Sequence, residues 1–120
     1  MTLSTTKAMI FQKLKPVRSK KLRNSAKGQD CTINIPGRCS YDTEKTMLCH
    51  FPDDSGTGVM GSKSDDTCAG FGCHECHTLM DNRNLFYKAG FTEADYWYFV
   101  HRSMVRTLRK WVEMELIKLP

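Results

Sequence analysis

Six cysteines in 120 residues, at positions 31, 39, 49, 68, 73 and 76, constrain this chain more than any other feature. Thiols this dense are either oxidised in pairs or committed to a metal. Disulfides need export into an oxidising compartment. The longest apolar run near the start is Ala8-Met9-Ile10-Phe11, too short for a secretory signal. In a reducing cytoplasm thiolate is a strong zinc ligand. Zinc is therefore the expected partner, and a disulfide-stapled secreted protein is the poorer reading.

Cys73-x-x-Cys76 forms one half of a zinc knuckle, because its tight turn lets two sulfurs converge on one ion. Cys31 and Cys39 supply the second half: the Pro36-Gly37 turn between them can bring their sulfurs together. Cys49 and Cys68 remain alternatives, each equally readable as a small buried residue on a strand. Zinc held by four cysteines has no open position, so it would staple the fold and not catalyse. Cys73-His-Glu-Cys-His77 also matches the haem-attachment pattern. That chemistry needs both thiols for the porphyrin, and usually export, so haem is not expected.

The charge is divided unevenly. Met1 to Gln29 carries eight bases (Lys7, Lys13, Lys15, Arg18, Lys20, Lys21, Arg23 and Lys27) and no acid. Asp30 to Pro120 carries the other ten bases and all thirteen acids, a net of 10 − 13 = −3, so the overall +5 comes from the first segment. A basic block of this kind suits a polyanion, most often nucleic acid. A solvated arm, or a Ser/Thr-rich targeting segment, would have a similar composition. No run approaches the roughly 18 to 20 apolar residues of a membrane span, so no membrane partner is expected.

The chain reads as a basic, mobile tail over 1–27 and a domain over 28–120, with order beginning near Asp30. Cys31 to Ile35 alternates polar and apolar and predicts a short strand. Thr46 to Phe51 predicts a second strand, Pro52 to Asp66 a loop, and Thr67 to Gly72 a third strand. Within the tail, Met9 to Leu14 is the candidate for a short ordered segment. His74 to about Arg83 should be helical. Thr92 can cap the amide of Asp95, which lies in a first turn where negative charge is favoured. Apolar residues at 96, 99, 100, 104, 108, 111 and 112 then predict one helix to about Glu113. Its other face carries Arg102, Arg106, Arg109 and Lys110. The fold class is a small α+β domain.

Beside the cysteines stands a second set of chemistry-bearing residues. His77 and Asp81 are four apart, which on a helix stacks them about 5 to 6 Å apart at Cβ, close enough to share a metal. His50 ends a strand, and Asp66 closes the following loop. Together these segments make a compact ββα unit.

This pattern resembles the HNH, or ββα-metal, nucleases: a strand-end His, a loop Asn or Asp, then C-x-x-C-H entering a helix. More closely, the chain is similar to the small phage and prophage nucleases of the YbcO group, related to the RecA-dependent nuclease Ref. The residues that carry the likeness are Leu22 to Cys31, Ile35 to Cys39, Leu48-Cys49-His50, Gly56-Thr57-Gly58, Asp66, Cys73 to His77, Asp81, Arg106-Thr107 and Ile117-Lys118. It covers about residues 22 to 118.

The resemblance implies hydrolysis of DNA phosphodiester bonds in the cytoplasm of a bacterial host, during recombination or replication. It implies that His50 is the general base, that Asp66 orients its imidazole, and that His77 and Asp81 hold a catalytic divalent ion (Mg²⁺, Mn²⁺ or Zn²⁺) besides the structural zinc of Cys31, Cys39, Cys73 and Cys76. A histidine base suits neutral pH, since its ordinary pKa of about 6.5 leaves it mostly neutral there. Two departures stand out. Cys49 occupies the position before the base where many relatives carry a metal ligand, and Asp66 replaces the usual Asn, so it is either an orienter or a ligand. Lys20, Lys21, Arg23, Lys27, Arg102, Arg106, Arg109 and Lys110 are the expected DNA contacts, with little sequence preference. A phage or host recombination protein is a further expected partner. The competing reading is a noncatalytic zinc module that binds nucleic acid or another protein and keeps the nuclease fold.

Overall fold

The two segments predicted as strands after Cys39 pair with each other. The computed structural model describes residues 15–52 and 65–120. Within them β1 (Met47–His50) runs antiparallel to β2 (Ala69–Gly72), with Met47 opposite Gly72 and His50 opposite Ala69. Most of the loop predicted between them, and the segment at 9–14, lie outside the described residues.

Alternation along the strands gives the sheet two faces. Leu48, Ala69 and Phe71 pack with Leu22, Ala26 and Trp111. On the other side Cys49 and Phe51 join Ile33, Ile35, Leu79, Phe86, Tyr96 and Phe99. Phe86 is the centre of that cluster, edge-on to Tyr96 and Phe99 and stacked on Phe91 at 5.1 Å. Fully burying one such side chain stabilises by about 1.5–3 kcal/mol.

Five segments depart from expectation or refine it. Cys31–Ile35 is not a strand: Asn34 takes a φ of 51° and curls the chain, which brings Cys39 back toward Cys31. The segment still donates the Thr32 amide to the Phe71 carbonyl at 2.8 Å. Order begins before Asp30, because Lys20–Asn24 forms helix α1, capped by Ser19, and buries Leu22. The helix expected to reach Arg83 stops at Asp81 as α2 (His74–Asp81). Asn82 both ends it and caps α3 (Arg83–Lys88), accepting from the Leu85 amide. The long helix α4 (Glu93–Glu113) begins with the reciprocal Thr92–Asp95 capping box.

On α4 the apolar stripe is interrupted. Leu108 is exposed, whereas Ser103 and Thr107 are fully buried. The reason is close approach to β2. Phe71 donates its amide to Thr107 Oγ1 at 3.0 Å, so the helix satisfies the strand edge that a third strand would have taken. Thr32, Ser103 and Thr107 link their hydroxyls at 2.7 and 3.0 Å. Short polar side chains let the helix come this near; leucines would not.

Gly70 lies directly under Ser103, and a methyl group there would fall on the serine hydroxyl. Gly70→Ala is expected to lower stability by about 1–3 kcal/mol through overpacking. Urea unfolding should show an earlier midpoint at unchanged slope; an unshifted midpoint would contradict this packing of α4.

Candidate active site and metal centre

The cysteine cluster is set by three local structures: the curled 31–39 loop, the end of β2 and the start of α2. The Sγ atoms of Cys31, Cys39, Cys73 and Cys76 all lie within 4.8 Å of one another. No disulfide joins these four thiols. Cys39 and Cys73 are 3.8 Å apart, and a tetrahedral ion with 2.3 Å bonds to sulfur has edges of about 3.8 Å. Backbone amides of Asn34, Ile35, Ser40 and Cys76 point at Cys31, Cys76, Cys73 and Cys73, at 3.4–3.5 Å. Such donors favour thiolate. The Cys76 thiol donating to Cys31 holds Cys31 well below the usual thiol range and pushes Cys76 up. The donor set therefore fits a thiophilic cation. Cys49 is buried on β1, its thiol pushed up first by burial. Cys68 points at the Phe51 and Pro52 carbonyls. Neither belongs to the cluster.

His50, at the end of β1, places Nε2 2.8 Å from Asp66 Oδ1. Asp66 is fully buried in the turn before β2. Its other oxygen accepts from the Ser19 amide at 2.6 Å and from Arg23 Nη1 at 2.7 Å, with Arg18 at 4.0 Å. Burial opposes ionisation of Asp66, but the bonds from His50, Ser19 and Arg23 outweigh it and hold the carboxyl below its ordinary range. An ionised Asp66 accepts only, so Nε2 carries the proton and Nδ1 keeps a lone pair. Neighbouring Asp65 accepts from the Val17 amide at 2.8 Å, and Val17 in turn accepts from the Asp66 amide. The part played by residues 17–19 was not evident in the sequence, where a basic arm reads as solvated. The adjacent acids Asp65-Asp66 were the one available sign that it has a docking point.

His77 and Asp81 meet on α2 as their spacing required, with Nε2 3.0 Å from Oδ2. Adjacent ligands of an octahedral ion with bonds near 2.1 Å are about 3.0 Å apart, so the pair fits two neighbouring positions. The four residues are gathered two by two. Among the described residues the cysteine set is the group of three or more metal-capable side chains whose ligand atoms converge. Met47 is the link between the pairs: its sulfur lies 3.1 Å from His77 Nδ1, and it lines the same cavity as His50.

The basic residues divide by position. Lys20 and Lys21 are exposed on α1, and Arg106 and Arg109 on α4. Lys110 pairs with Glu113 at 3.6 Å. Arg102 departs from the expected row. It turns inward between Tyr98 and Phe99 and donates to the Ile33 and Asn34 carbonyls, the second at 2.8 Å. Those carbonyls need a donor because their segment is a loop and not a strand.

A strand hairpin leading straight into a helix, with a four-cysteine cluster at the junction, is the arrangement of a small HNH-like ββα-metal protein. Residues 20–116 match the family model described as "Putative nuclease YbcO". The chain is 32% identical over 97 residues to "Putative nuclease YbcO" of Escherichia coli strain K12, covering 81% of this chain and 96% of that protein. The same figures hold for "Putative nuclease ybcO" of Enterobacteria phage 82. The solved "Structure of a putative bacteriophage protein from Escherichia coli str. K-12 substr. MG1655" superposes with a TM-score of 0.61 at 26% identity, covering 79% of this chain and 100% of that one. The chain belongs to the YbcO nuclease family.

Two outcomes follow from this geometry. Metal analysis of the purified protein should find one tightly held ion in the cysteine cluster, and Cys39→Ser or Cys73→Ser should lose it together with cooperative unfolding. Retention of the ion by both variants would contradict the assignment. Asp66→Asn should cost on the order of 3 kcal/mol at neutral pH, since it breaks a buried charge network. Because the folded Asp66 pKa is lowered, its contribution is complete above about pH 4 and fades as pH falls through the folded value. The stability gap between the two proteins should therefore close in acid, as read from thermal melts across pH; a gap independent of pH would contradict it.

Proposed function

We propose that this chain is a metal-dependent endonuclease that hydrolyses DNA phosphodiester bonds, with His50 as general base. The observation that carries the reading is the 2.8 Å pairing of a half-exposed imidazole with a fully buried carboxylate. Asp66 fixes the tautomer, leaving Nδ1 to take a proton from water, and it stabilises the imidazolium that results. Both Asp66 oxygens are already engaged, which favours the orienting role over that of a ligand. His77 and Asp81 would hold a divalent ion (Mg²⁺, Mn²⁺ or Zn²⁺), which when bound polarises the phosphoryl group and neutralises the leaving oxygen.

Zinc in the cysteine cluster would be structural, since four sulfurs leave no position for substrate. Lys20, Lys21, Lys27, Arg106 and Arg109 are exposed cations available to phosphates, and contacts of that kind position a duplex without reading it. A steep salt dependence is expected. Reduced thiols suit a bacterial cytoplasm, and the phage relatives suit a role beside recombination or replication proteins.

Nicking of supercoiled plasmid with Mg²⁺ or Mn²⁺ tests the reading. His50→Ala should slow cutting by about 10²-fold or more, the usual scale of general-base catalysis. His77→Ala should abolish cutting at metal concentrations that saturate the intact protein. If the intact, zinc-loaded protein never cuts, or if both variants cut equally well, the noncatalytic binding module is the better account.

A further inference from the structure

We propose that the cavity between α1 and β1 is a seat for a nucleic-acid backbone phosphate, and that Lys45, on the short 3-10 turn Thr43–Lys45, is its principal grip. The inference rests on the nuclease reading of His50 and extends it to where the strand lies. The cavity holds about 560 Å³, and its wall includes Arg23, Lys27, Glu44, Lys45, Thr46 and His50. Three cations and one carboxylate thus converge beside the imidazole, although residues 30–120 carry more acids than bases. The cations come from two separate segments, so local sequence alone did not gather them.

Arg23 is held in place rather than solvated. Its Nη1 is bound to the same carboxylate that holds His50, which puts a fixed guanidinium next to the base. Guanidinium matches phosphate geometry.

Lys45 shares the cavity wall with His50 but is not part of the His50–Asp66 pair. Its contribution is to binding and not to bond breaking.

The test measures binding of a fluorescent DNA duplex by anisotropy over a range of salt, alongside plasmid nicking, using full-length, zinc-loaded protein. Lys45→Ala and Lys27→Ala should each weaken binding about 5- to 10-fold and lower the salt slope by about one. Lys45→Ala should raise KM for DNA far more than it lowers kcat. If Lys45→Ala and Lys27→Ala bind as the intact protein does, the seat is overturned, however well the protein cuts. If Lys118→Ala, outside the cavity, weakens binding as much as Lys45→Ala, the effect is general charge and the proposal is likewise overturned. Weakened binding by the cavity variants in a protein that never cuts upholds the seat and removes only the nuclease reading.

Discussion

Four sulfurs brought within reach of one cation hold the rest of this structure in register. The 31–39 loop touches β2 through Thr32 without forming a strand, and α2 is only eight residues long. Neither has much intrinsic stability, since isolated helices below about 12 residues are marginal in water. Cys73 serves both purposes at once, as a cluster member and as the residue whose sulfur caps α2 by accepting from the Cys76 amide. Fixing the start of α2 fixes His77 one residue beyond Cys76, and through Met47 it sets that imidazole against β1. A small core is thereby enough to hold functional side chains in place.

A second knot is tied by Asp66. It lies 16 residues beyond His50 in the chain, yet it gathers the imidazole, the Ser19 amide and Arg23 around one carboxylate. Val17 and Ser19, just before α1, are bound through Asp65 and Asp66 and not merely attached to the domain. Charge that looks like a loose attractant for polyanions is in part a fixed component of the site, and the distinction depends on a few hydrogen bonds.

What the sequence disclosed followed from how local each signal was. The Thr92 cap on the Asp95 amide and the i,i+4 pair His77–Asp81 are set within one turn of helix, and both formed as expected. The four-cysteine set was legible because metal chemistry restricts which spacings can converge. Cys31–Ile35 misled, because its alternation is that of a strand while the demand for sulfur convergence and the positive φ of Asn34 bend it away. Leu108 misled for a different reason: helical period describes a helix lying on a broad apolar surface, whereas α4 crosses the edge of a strand. Arg102 and the 17–19 segment act through contacts 47 to 69 residues distant, which no periodicity encodes.

The contact between α4 and β2 has one more consequence. A two-stranded sheet ordinarily presents unpaired amides and carbonyls along its margins, and these are templates for joining with other chains. On the β2 side that template is closed at Phe71, whose amide is taken by a threonine hydroxyl and whose carbonyl is taken by Thr32. The helix and the Thr32 segment thus leave no free backbone group at Phe71 for a further strand to pair with. A protein this small closes its edge there without adding a strand.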